Sequence, residues 1–156
     1  MQPSEHGTTG SLLWRLTMKW RAAVERAVTP LGLTHAQYTL LGSLYAHTRD
    51  GRPPPSQREL ADFTGLDPVY VSKLVRALER AGFVDRATHP ADPRAVELRI
   101  TDQGVDVILR AVAIVHELLE VLTAPIGGMA SRRNQEFKET LRALLGDPRD
   151  IREETT

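Results

Sequence analysis

Apolar residues along this chain fall into blocks of helical period, broken once by a stretch of strand period. The clearest block is Leu66–Arg80, where Val71, Leu74, Val75 and Leu78 recur at helical spacing and form an inner face. Asp67 stands where an N-cap belongs, and Pro68 suits a first helical position, where its missing N–H is not needed. Val69, Tyr70, Ser72, Lys73 and Arg76 are left on the outward side, most of them in the first two turns. A helix that offers its N-terminal residues to a DNA major groove needs this layout. An ordinary amphipathic surface helix shares it, so the neighbouring segments decide.

Upstream, Ser11–Val28 reads as a helix capped by Ser11, apolar over more than one face and ended by Pro30 and Gly32. Thr34–His47 follows, opened by the capping-box spacing of Thr34 and Gln37, with Tyr38, Leu41, Leu44 and Tyr45 on its buried side. Ser56–Phe63 is a short helix with a second capping box, Ser56 and Glu59, and Leu60, Ala61 and Phe63 as its apolar contacts. Thr64 and Gly65 form a turn into Leu66–Arg80, so these two segments have helix-turn-helix order. Gly82 sits where a C-cap glycine belongs. Phe83–Arg86 is short and extended, Thr88–Arg94 is a turn-rich loop, and Ala95–Ile100 alternates. There Val96, Leu98 and Ile100 point inward while Glu97 and Arg99 point out, which makes a half-buried strand and a hairpin with a protruding tip. Thr101 caps a long helix to Leu122 with two apolar stripes, one of which carries His116. So broad an apolar surface needs a partner helix or subunit. Arg132–Leu145 is the last helix, with Phe137, Leu141, Leu144 and Leu145 on its apolar face.

Composition narrows the functional classes. The 156 residues carry no net charge, so any attraction to DNA must come from local placement of Arg and Lys. There is no cysteine, which excludes disulfides, thiol redox chemistry and thiolate metal sites. Among the five histidines no pair has the i, i+4 spacing of metal ligands, and no metal or cofactor is expected. The chain has no Gly-x-Ser-x-Gly, P-loop or Gly-x-Gly-x-x-Gly sequence and does not read as an enzyme. No apolar run reaches membrane-spanning length, so a cytoplasmic protein without membrane contact is expected.

Three segments in order, GLTHAQYTLL (Gly32–Leu41), SQRELADFTGLDPVYVSKLVRALERAGFV (Ser56–Val84) and DPRAVELRITDQG (Asp92–Gly104), give a sequence that resembles the MarR (multiple-antibiotic-resistance regulator) family of bacterial transcription factors. The resemblance covers roughly Leu12–Gly146. It implies a mainly α fold with a small β-hairpin wing, a winged helix-turn-helix lobe joined to a helical dimerisation region. Residues 34–100 would form the lobe, and 11–30 and 101–146 the dimerisation helices. Residues 1–10 would be a flexible tail and 147–156 a charged C-terminal tail. The implied protein is a homodimer on a pseudo-palindromic operator in double-stranded DNA, a repressor released by a small aromatic or phenolic effector.

Carried over residue by residue, the resemblance places Val69, Tyr70, Ser72 and Lys73 against bases and nearby phosphates. Ser56 and Arg76 would meet phosphates, Arg86 the backbone, and Arg94 a narrow minor groove. Asp92 would brace the wing. Trp14, Met18, Tyr38, Tyr45, His47 and His116 are effector-pocket candidates from their position relative to the crevice between lobe and dimer helices. The alternative from another class is a winged-helix dimer that serves as a protein-interaction module without specific DNA binding. Lys73, Arg76 and Arg94 distinguish the two, because a pure protein-binding module does not need them in this constellation.

Overall fold

A computed structural model describes residues 7–146. The expected charged tail, 147–156, and most of the expected N-terminal tail lie outside these residues. Helix α1 (Thr9–Val28) starts two residues before the boundary expected from sequence, because Thr8 and not Ser11 is its cap, accepting the Ser11 N–H at 3.2 Å. Helix α2 (His35–Arg49) opens with both arms of the Thr34–Gln37 capping box in place. Then come α3 (Gln57–Thr64), α4 (Pro68–Arg80), strands β1 (Val84–His89) and β2 (Asp92–Ile100), α5 (Asp102–Thr123) and α6 (Arg132–Leu145). Two compact units divide within α5, between Val115 and His116. No helix among the described residues is long and apolar enough to cross a membrane.

In the first unit, the core is aliphatic. Val24 and Val28 of α1 are buried, as are Leu40, Leu41 and Leu44 of α2. Helix α4 contributes Val71, Leu74, Val75 and Leu78, the four residues of its expected inner face, and α5 contributes Ile108 and Ala111. Ile108 lies against Gly42 of α2, where an added Cβ would meet its Cδ1 at 3.7 Å. Gly65 ends α3 at φ 70°, a left-handed conformation that costs glycine little, and this sets the turn between α3 and α4.

The hairpin is longer than its sequence suggests. Thr88, His89 and Asp92–Arg94 belong to strands, leaving Pro90 and Ala91 at the tip, with an irregular register between Thr88 and His89. β2 also has a second neighbour. Leu98 donates its N–H to the Pro55 carbonyl at 3.0 Å, and Ser56 bridges Glu97 in antiparallel fashion. Proline has no N–H to give, so Pro55 joins the sheet through its carbonyl alone. Under this junction Glu97 is only 7% exposed, contrary to the outward orientation its alternation predicts. Phe63 departs the other way: it is 69% exposed and is not an apolar contact of α3.

The two expected stripes of α5 are not separately buried. Val107, Ile108, Ala111 and Val115 are covered, whereas Leu109, Val112 and Val121 are exposed and His116 faces solvent. In the second unit, Ser131 caps α6, and buried Asn134 donates to the Met129 carbonyl at 2.8 Å. Phe137, Leu144 and Leu145 on α6 remain exposed, as do Leu12, Leu13, Trp14 and Leu16 on α1.

Local geometry makes two of these features testable. A Cβ on Gly104 would overlap the Phe83 carbonyl oxygen, which also accepts the Thr101 N–H. Gly104→Ala should therefore destabilise the fold by about 1–3 kcal/mol in urea unfolding, the usual range for overpacking. Unchanged stability would show that α5 and the residue before β1 are free to separate. The Glu59 carboxyl is held below its ordinary 4.5, first by the Ser56 backbone N–H and then by the Ser56 side chain. Its folded value is depressed, so its stabilising contribution is present above pH 4.5 and lost as pH falls through the depressed value. Glu59→Gln keeps the capping-box pattern without the titration, so the stability gap between the two proteins should shrink below that pH. A gap independent of pH across this window would contradict the assignment.

Candidate nucleic-acid interface

The two helix starts of the helix-turn-helix differ in what they leave unpaired. At α4, Asp67 Oδ1 accepts the N–H groups of Val69 at 2.9 Å and Tyr70 at 3.0 Å, while Pro68 has none. This end presents side chains and little free backbone. At α3, Glu59 accepts the Ser56 N–H at 2.6 Å, and Ser56 Oγ accepts the Glu59 N–H at 3.2 Å. The first-turn N–H groups of Gln57 and Arg58 have no carbonyl four residues back within the helix. They form an end suited to an anion.

Val69, Lys73 and Arg76 recur along the exposed side of α4, with Ser72 half-buried beside them. Tyr70 is less free. It lines an open groove with Met18, Arg21, Glu25 and His35, between α1, α2 and α4. In that groove the His35 backbone N–H donates to Glu25 Oε2. Burial, followed by the charge of Arg21, holds the His35 imidazole below its ordinary value.

The wing and the start of α3 meet in a second groove, which brings together Ser56, Asp92 and Arg94 with Gln57, Arg58 and Val96. Asp92 Oδ1 accepts the Arg94 backbone N–H at 2.9 Å, so it shapes the tip through the main chain. The Arg94 side chain has no ion-pair partner among the described residues. Arg86 does: its Nε lies 2.8 Å from Glu79 Oε2. Arg99 is likewise occupied by buried Glu97 at 3.3 Å, and His89 Nε2 lies 3.8 Å from the other oxygen of that carboxylate.

Sequence reasoning missed Arg58 and Glu97. Arg58 was legible as a cation in the first turn of a capped helix beside Ser56, whereas the burial of Glu97 depends on pairing with Ser56, distant in sequence. Among the described residues of the first unit, the effector-pocket candidates Met18 and His47 line different grooves. Met18 lines the groove beside Tyr70, and His47 lines a smaller one with Arg52, Glu59 and Phe63. Tyr38 and Tyr45 are half-buried on α2, while Trp14 and His116 are exposed. Burial raises the Tyr38 phenol above its ordinary value.

Comparison with known proteins matches residues 31–95 to the MarR family model. The chain is 33% identical to the uncharacterized HTH-type transcriptional regulator YdcH of Bacillus subtilis, over 87% of this chain and 88% of that protein. The crystal structure of the Streptomyces coelicolor transcriptional regulator PcaV, in complex with its natural ligand, superposes with a TM-score of 0.77 at 26% identity, covering 94% of this chain and 96% of PcaV. The transcriptional repressor CouR, known from Rhodococcus jostii RHA1, was solved bound to a 23-mer DNA duplex. It matches with a TM-score of 0.72 at 28% identity, covering 88% of this chain and 92% of CouR. With its helix order, its helix-turn-helix and its hairpin wing, this chain belongs to the MarR family of winged helix-turn-helix transcriptional regulators.

Proposed function

We propose that this chain is a homodimeric, sequence-specific DNA-binding repressor that a small aromatic or phenolic molecule releases from a pseudo-palindromic operator. The observation that carries the DNA-binding reading is the groove in which wing residue Arg94 meets Ser56 and Arg58 at the start of α3. One wall supplies backbone donors and a cation at a helix N-terminus, and the other supplies a cation on an exposed hairpin, a combination suited to successive phosphates and a minor groove. Lys73 and Arg76 extend the positive surface along α4. Lysine at position 73 offers a point charge and not a bidentate fork, so it contributes attraction more than base discrimination.

Dimer formation is supported by the apolar residues left uncovered on α1, α5 and α6, a larger set than scattered surface residues explain. Ligand response is supported by the open groove between α1, α2 and α4, because Tyr70 belongs both to it and to the first turn of α4. A ligand seated there would share a side chain with the DNA-facing helix. The ligand-bound PcaV structure lends the same reading support by similarity.

Selection of bound sequences from randomised duplex DNA tests this function. It should return a pseudo-palindrome whose half-sites are one helical turn apart. Recovery of no preferred sequence by folded dimer would overturn it in favour of a protein-interaction module. On the selected site, Arg94→Ala should weaken binding by about 1–3 kcal/mol with the melting temperature unchanged. Arg86→Ala should cost less, since Glu79 already occupies that guanidinium. Equal losses in an anisotropy titration would remove the distinction between these two arginines.

A further inference from the structure

The start of α4 carries an exposed hydrocarbon where the backbone has no donor to spare. Val69 is 66% exposed, against 44% for Tyr70, whose ring also lines the groove toward α1 and α2. Asp67 already takes the N–H groups of both residues, and Pro68 has none. Val69 is followed at i+4 by Lys73 and at i+7 by Arg76 on the same helix face. A branched apolar side chain so exposed adds little to the core of its own lobe. On the major-groove edges of the bases the apolar group is the C5-methyl of thymine, and an aliphatic contact with it is a direct form of readout.

We infer that Val69 is a specificity-determining residue that reads the C5-methyl of a thymine in each operator half-site, with Lys73 supplying charge one turn later. This rests on the DNA-binding reading and adds to it a base and the atom recognised. Valine has no hydrogen-bonding group on its side chain, so its contribution depends on the methyl and not on the Watson–Crick face or the other groove-edge groups.

The test uses the full chain and its site selected from randomised DNA. Each thymine of the half-site is replaced in turn by deoxyuridine, which removes the methyl and keeps every hydrogen-bonding group. At one position the replacement should weaken wild-type binding about fourfold per half-site, the value of burying one methyl. Val69→Ala should bind thymine and deoxyuridine equally at that position, and Val69→Ile should restore the difference. Because the position is exposed, circular dichroism and melting of both variants should match wild type. Specific binding that is indifferent to deoxyuridine at every thymine, or a preference that survives in Val69→Ala, would overturn the inference and leave the DNA-binding function standing. Absence of any preferred site would overturn that function, and the inference with it.

Discussion

The hydrogen bond from Leu98 to the Pro55 carbonyl is the constraint on which the candidate interface depends. It pins β2 to the residue before the α3 cap and brings the Ser56 end of that helix beside the wing. The Ser56–Glu59 capping box fixes the helix end, and Asp92 Oδ1 holds the backbone N–H of Arg94 at the wing tip. Helix α4 then follows α3 through the left-handed Gly65 turn. Each device is small, worth about a kilocalorie per mole for a cap or a hydrogen bond. Together they set the spacing between the wing and the two helix starts.

A chain with zero net charge can still present a positive surface if its acids are engaged elsewhere. Asp67 caps α4, Glu59 accepts the Ser56 N–H in the α3 capping box, Glu79 holds Arg86 and buried Glu97 holds Arg99. Arg58, Lys73, Arg76 and Arg94 have no ion-pair partner among the described residues and are exposed. The wing tip is short in cations, and the groove it shares with α3 compensates through Arg58.

Local chemistry was the legible part of the sequence. Capping residues act within three positions of their partners, so Thr34, Ser56 and Asp67 could be assigned from spacing, and the helix order followed. Strand pairing is nonlocal. The burial of Glu97 and the sheet contact of Pro55 depend on segments about forty residues apart, which alternation cannot reveal. Periodicity also does not tell a core face from an uncovered one, which is why Phe63, Leu109 and Val112 are exposed where their spacing suggests burial. Sequence position selects the effector candidates, and it does not reveal that Arg21 and His35 line the groove beside Tyr70.

The most direct test of the DNA-binding claim is the salt dependence of binding to the selected duplex, with stoichiometry measured in the same titration. The four unpaired cations at the candidate interface, Arg58, Lys73, Arg76 and Arg94, doubled in a dimer, give a slope of log affinity against log salt of about −7. Saturation at two chains per duplex with a slope near that value is the expected result. A slope near zero, or saturation at a single chain, would contradict it.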